Sequence, residues 1–137
     1  MTLHGGSEHA EALQAMIVGL PAYLAAPTSD KFTDKNYPYV ILWVPGGVVS
    51  SERLALGPHR RDIRFQSTVV ATSDDQARWA VAKVRDSLAM RRPVVTGWQC
   101  NRIEHTSDIA AAEDDSVAGR KVFTSLDFWH FVTSRVS

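Results

Sequence analysis

The sequence predicts an α+β domain: a mainly antiparallel sheet of about four strands, with two helices packed on one face. Apolar residues recur at spacings of three and four in two segments, and elsewhere they alternate or run continuously, as in strands. The element order α-β-β-α-β-β places strands next to one another in the chain, which favours antiparallel pairing. We expect one domain over residues 1–137, because a chain of this length buries about two-thirds of its unfolded surface.

The first helix is predicted to begin after Ser7, which is a suitable N-cap. The apolar stripe that follows at helical spacing consists of Leu13, Met16, Ile17, Leu20 and Leu24. Pro21 lacks the N–H that would bond back to Ile17. We therefore expect it to kink the helix, or to end it and begin a short second turn.

Two strands are predicted after this helix. Residues 39–44 form a short apolar run rich in β-formers. Residues 62–71 alternate, so that one side of the strand carries Ile63, Phe65, Ser67, Val69 and Ala71. Residues 45–61 lie between the two strands and contain turn chemistry, and we interpret them as an extra hairpin or a mobile arm.

The second helix is predicted to begin after Ser73, with Asp74 and Asp75 in its first turn, where the helix dipole favours acidic residues. Its buried stripe consists of Ala77, Ala80, Val81, Val84 and Leu88. Pro93 ends the helical pattern. The remaining chain is predicted to form a strand over 98–106, an acidic loop over 108–119 and a long final strand over 122–132.

Charge and cysteine content exclude several classes of protein. The 15 basic and 15 acidic residues balance, so the chain lacks the basic surplus with which nucleic-acid-binding proteins displace counterions. The one cysteine, Cys100, cannot form an intramolecular disulfide. Residues 1–7 lack the pattern of a secretory signal, and the apolar runs are far shorter than the ~20 residues of a membrane helix. We therefore expect a soluble protein made in a cytoplasm, with no membrane partner.

The predicted sheet carries more apolar residues than two helices can cover. On the final strand, Val122, Leu126, Phe128 and Val132 share one side, and Phe123, Trp129 and Phe131 share the other. The second face of an antiparallel sheet normally carries polar residues. A neighbouring copy of the chain is one candidate to cover that face, and the long loops of the same chain are the alternative.

Further interface candidates come from one exposed aromatic residue and two charge clusters. Trp79 lies opposite the buried stripe of its helix, and tryptophan is enriched at binding hot spots, although a single exposed apolar residue is common. His59, Arg60 and Arg61 form a basic cluster, and Glu113, Asp114 and Asp115 form an acidic one. Such clusters are either solvated or pair between copies in a ring. The interface candidates are Trp79, Trp129, Phe123, Phe131, Arg60, Arg61, Asp114 and Asp115.

No motif in the sequence predicts an enzyme, a metal site or a cofactor site. The five histidines are scattered without metal-ligand spacing. Cys100 lies in a predicted strand, where a buried, unreactive thiol is favoured over a nucleophile. The Gly46-Gly47 pair lacks both the phosphate-binding lysine and the dinucleotide fingerprint, and is interpreted as a turn. We expect no catalytic activity and no cofactor.

The order of these elements resembles the tail terminator proteins of long-tailed bacteriophages, also called tail completion or head–tail joining proteins. The matching pieces are the helix at 11–17, the strand opening with Tyr-Pro at 36–42, the strand at 62–72, the helix at 74–88 and the late strand at 122–129. The resemblance covers roughly residues 8 to 133, and residues 48–59 are longer than in the plainest members.

That resemblance implies a hexameric ring of copies of the chain that binds the growing end of the tail tube. The ring stops tube polymerisation, presents a surface that joins the DNA-filled head, and lets DNA pass through its lumen. The implied partners are copies of the chain itself, the tail tube protein and the head–tail connector or neck protein. The implied location is the virion tail or neck, after synthesis in the host bacterial cytoplasm.

Two alternatives are kept open. One is another head–tail connector, either an adaptor or a completion protein. The other, from a different class, is a small α+β enzyme or ligand-binding domain, which would need a pocket that gathers His105, His130 or Cys100 with carboxylates.

Overall fold

A computed structural model describes residues 5–24, 37–45, 48–49, 60–117 and 120–136, with side chains described for 8–24, 37–45, 60–109 and 122–136. Two helices, α1 (Gly5–Met16) and α2 (Asp74–Leu88), accompany one seven-stranded sheet within these ranges. The strands are β1 (Ala22–Tyr23), β2 (Tyr39–Trp43), β3 (Val48–Val49), β4 (Arg60–Ala71), β5 (Trp98–Cys100), β6 (Glu104–Val117) and β7 (Arg120–Arg135). The predicted α+β class is confirmed, and the sheet is larger than the four strands expected.

The long strands β4 and β7 form the centre of the sheet. They pair antiparallel from Arg60 opposite Ser134 to Ala71 opposite Phe123. β2 and β3 both lie along the other edge of β4, while β5 and β6 follow one another along the other edge of β7. β1 joins β2 in parallel, and every other pairing is antiparallel, as predicted.

The segment at 45–61 is described only at its ends. Val48 and Val49 pair antiparallel with Asp62 and Arg61, so a short ladder joins the two ends of this segment. Residues 50–59 lie outside the described residues, and the hairpin or arm expected there stays a prediction.

The acidic loop predicted over 108–119 is wrong, because most of this segment is strand. β6 runs from Glu104 to Val117 and pairs with β7 along its length, with irregular register at three places. Its small and acidic residues have low strand propensity, so the ladder with the strongly β-forming β7 decides its conformation. The single strand predicted over 98–106 is likewise divided into β5 and the start of β6. Between them, Ile103 turns into the core and its N–H donates to Arg91 O at 2.9 Å.

The first helix is shorter than the apolar stripe predicted. α1 ends at Met16, before Pro21, and Gly19 adopts a left-handed φ of 98° that suits a residue without a side chain. The chain then extends as β1 instead of beginning a second helical turn. Leu20 and Leu24 lie outside the helix but still pack against the core as partly buried residues.

The second helix agrees with the prediction at both ends. The Ser73 side chain accepts a hydrogen bond from Gln76 N at 3.1 Å, and α2 ends at Leu88, before Pro93. Four residues of its predicted stripe are fully buried: Ala77, Ala80, Val84 and Leu88. Val81 is partly buried against the same core.

The main core lies between the helices and one face of the sheet, called here the helix face. Residues from both helices belong to one apolar cluster with β2, β4 and β7, so the predicted packing of both helices on one face is confirmed. The helix face of the central strands carries Val40, Leu42, Ile63, Phe65, Val69, Trp129 and Phe131. The opposite side, called here the second face, has a smaller buried cluster of Tyr37, Tyr39, Ile41, Val70 and Val122.

Candidate interaction surfaces

Two predicted interface residues, Trp129 and Phe131, belong to the core of the protomer, and their assignment is corrected. Both side chains lie on the helix face of β7 and are 1% exposed. Trp129 stacks on Phe65 with ring centroids 6.2 Å apart, and its Nε1–H donates to Ser67 Oγ at 2.9 Å. Neither side chain has surface to offer a partner, because α1 and α2 cover this face of the strand.

Three other interface candidates lie at the two ends of the central strands. Phe123 is half-buried opposite Ala71, where β4 ends. Arg60 and Arg61 are half-buried at the other end, and the Arg61 guanidinium lies 5.3 Å from the centre of the Trp98 ring. This cation–π contact stabilises the arginine within its own chain. A role for these residues in contacts between copies stays a prediction.

The acidic cluster belongs to a hairpin that projects from the sheet. Asp114 lies opposite Val122 in the β6–β7 ladder, beyond the last pair that β4 makes with β7, Ala71 with Phe123. The backbone continues as a ladder to Val117 opposite Arg120. The side chains of Asp114 and Asp115 lie outside those described, so their predicted contact with a neighbour stays a prediction.

Trp79 is exposed, as its helical position predicted. Its side chain is 47% exposed on the outer surface of α2, and Lys83 Nζ lies 5.5 Å from the centre of its ring. Nearby on the same helix, Arg78 forms ion pairs with Asp74 and Asp75. A large aromatic side chain flanked by charged groups has the composition of an interface hot spot.

Among the residues that the structure describes, the second face of the sheet is only partly covered. Trp43 is 44% exposed and Ile109 is 54% exposed, although both lie on strands of this face. Phe128 is half-buried between them and lines a groove of about 480 Å³ together with Trp43 and Arg64. The predicted excess of apolar surface is therefore present at this end of the second face, while the small cluster around Tyr39 covers the other end.

Sequence reasoning did not find a buried polar cluster between α2 and the sheet. Asp127 lies on the helix face of β7 with its side chain 2% exposed. Arg85 donates to both of its carboxylate oxygens, from Nε at 3.2 Å and from Nη2 at 2.8 Å. These hydrogen bonds are the main reason that the pKa of Arg85 lies above its usual value. Only the alternation of β7 could have shown that Asp127 points inward, since its neighbours at 125 and 129 share that side.

His105 and Asp108 on β6 complete this cluster. His105 Nε2 lies 2.9 Å from Asp127 Oδ1, and a carboxylate only accepts, so Nε2 carries the hydrogen. Arg85 also donates to Asp108 Oδ2 at 3.1 Å. The cluster links the base of the β6–β7 hairpin to α2.

The residues that a small enzyme would need do not line one pocket. His105 lies on the helix face beside Asp127, whereas His130 lies on the second face, with Nε2 3.7 Å from Asp62. Cys100 is buried, and its Sγ lies 3.4 Å from Thr133 Oγ1. Burial raises the pKa of the Cys100 thiol, as expected for a structural cysteine. Within the described ranges, no three His, Cys, Asp or Glu side chains are placed to share a metal ion.

Comparisons with known proteins bear on the fold alone. No family model matches the chain, and no curated protein matches it. The fold is shared with a virion chain. That chain belongs to a solved structure described as the virion of a native gene transfer agent (GTA) particle. The two chains are 18% identical, the match covers 89% of this chain and 84% of that chain, and the TM-score is 0.56.

The shared fold therefore extends over most of both chains. Neither α1 nor α2 is long and apolar enough to cross a membrane. The candidate interaction surfaces of this protomer are the end of the second face with Trp43, Ile109 and Phe128, called here its bare part, the outer side of α2 and the projecting β6–β7 hairpin.

Proposed function

We propose that this chain is a structural virion protein that assembles with copies of itself into a ring and caps the tail tube of a phage-like particle. The ring covers the growing face of the tube, ends its polymerisation and presents a surface to the head or neck. DNA passes through its lumen. The chain acts by shape and needs no catalytic step or cofactor.

The observation that carries this proposal is the fold shared with a virion chain over 89% of the residues. The order of elements in the sequence supports the finer assignment, because it resembles that of tail terminators. A head-to-tail stack such as a tube always keeps an open end, and a closed ring that matches this end is the simplest way to cover it.

The surface of the protomer supports self-assembly. The bare part of the second face carries Trp43, Ile109 and Phe128, and Trp79 lies exposed on α2. Aromatic residues of this kind are enriched at protein interfaces. The zero net charge of the chain also leaves little electrostatic repulsion between copies.

The proposal is tested with the purified protein, alone and mixed with tail tubes polymerised from the tube protein of the same virion. Native mass spectrometry should show a closed oligomer, and negative-stain electron microscopy should show rings at one end of each tube. Adding the protein during polymerisation should shorten the tubes. A protein that stays monomeric at high concentration and does not bind the tubes would overturn the proposal. Rings that leave tube length unchanged would retain self-assembly and remove the capping role.

A further inference from the structure

The groove on the second face crosses the sheet from β2 to β6. Its volume is about 480 Å³, and four neighbouring strands line it through Trp43, Arg64, Phe128 and Ser107. The register places Trp43, Phe128 and Ser107 in one row across the sheet. The Trp43 ring forms one wall, and its Nε1–H donates to Thr68 Oγ1 at 3.2 Å. At ~4.8 Å between strands, the groove extends for roughly 14 Å perpendicular to them.

Charged side chains border this groove in the next row of the sheet. His130 pairs with Arg64 on β4 and with Glu104 on β6, so the three residues share one row. Arg64 and Glu104 are exposed, and neither forms an ion pair with another residue that the structure describes. Asp62 and Arg60 follow further along β4, away from the groove, and Asp62 lies 3.7 Å from His130 Nε2. The border thus has a cation on β4 and an anion on β6, which lie roughly 10 Å apart across two strand spacings.

The outer surface of α2 carries the opposite charges at a similar spacing. Trp79 is 47% exposed, and Asp75 and Lys83 lie one turn before and one turn after it on the same side of the helix. They are about 12 Å apart along the helix axis. Arg78 forms ion pairs with both Asp74 and Asp75, so these three groups together carry one negative charge. Lys83 has its Nζ 5.5 Å from the centre of the Trp79 ring and no carboxylate partner among the described residues.

We propose that α2 of one copy lies in this groove of the next copy and crosses its strands, with the Trp79 ring packed against Phe128. α2 is about 22 Å long, so it spans the four strands that line the groove. The groove has the volume of sites that bury small organic ligands, so an indole ring fits in it. The contact presupposes the proposed self-assembly and specifies its interface.

The charges give the contact one direction. When the N-terminal half of α2 lies over β4, Asp75 faces Arg64 and Lys83 faces Glu104. In the reverse direction, like charges meet, and such contacts are strongly disfavoured at interfaces. Asp86 lies almost one turn beyond Lys83 and therefore falls outside the row, past the edge strand β6.

The two surfaces lie on opposite sides of the protomer, because α2 packs on the helix face and the groove opens on the second face. Each copy therefore gives its helix to one neighbour and its groove to another. Repetition of such a head-to-tail contact generates a ring when the rotation closes, whereas a contact between two second faces would stop at two copies. α2 of the neighbour also supplies a helix layer on the second face, and a sheet between two helix layers is a stable arrangement.

A pair of engineered cysteines tests the contact directly. We expect the double variant Ala82→Cys with Ser107→Cys to form disulfide-linked dimers and longer ladders under mild oxidation, resolved by non-reducing gel electrophoresis. Ala82 is exposed beside Lys83 on α2, and Ser107 is exposed on β6 in the groove. The two positions lie on opposite faces of the sheet, so a disulfide between them joins two copies. The native Cys100 is buried and does not compete.

The control pair is Ala82→Cys with Thr124→Cys. Thr124 lies on the same face of β7 as Phe128 but about 13 Å further along the strand. Equal ladders from both pairs would overturn the proposed docking. The absence of a ladder from the first pair, as expected if the protomer covers the groove with its own loops, would also overturn it.

An exchange of charges supplies an independent test. Lys83→Glu or Glu104→Lys alone should raise the dissociation constant of self-association about tenfold, because like charges would then meet. The double variant should recover most of the loss. Lys83→Glu with Glu8→Lys has the same net charge as the double variant, but Glu8 lies on α1 beside a different groove, so this pair should stay weak. Sedimentation velocity measures association, and far-ultraviolet circular dichroism checks that each variant is folded. Equal recovery in both pairs would show an effect of net charge alone and would overturn the contact of Lys83 with Glu104.

The outcomes separate this inference from the proposed function. Wild-type rings with neither the specific cross-link nor the specific charge recovery would remove the docking of α2 in the groove and leave the ring intact. A wild-type protein that never self-associates would remove both.

Discussion

Arg85 on α2 donates hydrogen bonds to both carboxylate oxygens of Asp127 on β7, and the Asp127 side chain is almost completely buried. Replacing Asp127 by Asn keeps the shape of the side chain but leaves the Arg85 guanidinium without its buried counter-charge. We expect Asp127→Asn to lower the free energy of unfolding by about 2–4 kcal/mol, as when one partner of a buried ion pair is removed. Urea denaturation monitored by tryptophan fluorescence measures this loss.

Asp108→Asn is the matched control for that substitution. Asp108 accepts from the same guanidinium at 3.1 Å, but its side chain is 53% exposed. Its removal should cost less than about 1 kcal/mol, because solvent screens exposed ion pairs. Equal losses from the two variants would contradict the dominant role of Asp127.

Trp129 should be essential for folding. Its ring is buried and stacked on Phe65, so Trp129→Ala would leave a large cavity and an unpaired Ser67 hydroxyl. We expect a loss of about 3–5 kcal/mol in the free energy of unfolding, typical of large-to-small core substitutions. Thermal denaturation followed by circular dichroism provides the measurement. A variant as stable as the wild type would show that the ring is not a core residue.

Trp79 should behave in the opposite way. Trp79→Ala removes an exposed ring and the support it gives to Lys83 Nζ, so stability should change by less than about 1 kcal/mol. Self-association should weaken by roughly tenfold or more, as for truncation of an interface tryptophan. Val94→Ala is a control at an exposed site away from α2. Sedimentation equilibrium on both variants distinguishes a specific interface from a general loss of apolar surface.

The bare part of the second face should contribute to assembly independently. Ile109→Lys places a charge beside Leu126, its partner on β7, without disturbing the buried cluster around Tyr39. If a neighbour covers this face, the charge must be desolvated on assembly, and association should fall by about tenfold or more. Val136→Lys, which changes a similarly exposed residue near the end of β7, should have no such effect. Native mass spectrometry at several concentrations compares the two variants.

The Cys100 thiol should be unreactive in the folded protein. Burial raises its pKa, and Thr133 opposes that shift only in part, so little thiolate forms at neutral pH. We expect labelling by a disulfide reagent to be at least ~100-fold slower than in denaturant, where the thiol is free. The raised pKa also favours the neutral thiol in the folded state. The contribution of the Cys100 thiol to the free energy of unfolding is therefore present at neutral pH, and it is lost as the pH rises through the raised pKa of the thiol.

The sequence alone predicted those helices and strands whose conformation depends mainly on their own residues. The alternation of β4 correctly placed Phe65 and Val69 on the same side of the strand, and Ser73 correctly marked the start of α2. Both features depend on local chemistry, namely a period of two and a side chain that caps the first turn. On β7, the sequence grouped Trp129 and Phe131 on one side, but it could not show that this side faces the helices, because that depends on tertiary packing.

Features that depend on distant parts of the chain were missed. β6 has the composition of a loop and is a strand only because β7 lies beside it. His9 is another case: it is fully buried on α1, and its Nε2 lies 2.9 Å from Thr133 Oγ1 on β7. Nothing near His9 in sequence indicates that partner. The role of Asp127 was missed for the same reason, since its partners Arg85 and His105 come from two other elements.

The central position of β7 has a consequence for synthesis. Its partners β4, β5 and β6 all precede it in the chain. Without β7, one edge of β4 would be unpaired, and β5 and β6 would have no strand of the sheet to pair with. During translation, the other apolar strands therefore emerge from the ribosome before β7 is available to complete the sheet. Until then, the exposed edge of β4 is a site where nascent chains can pair wrongly. Co-expressed chaperones, or slower translation at low temperature, should raise the yield of native protein.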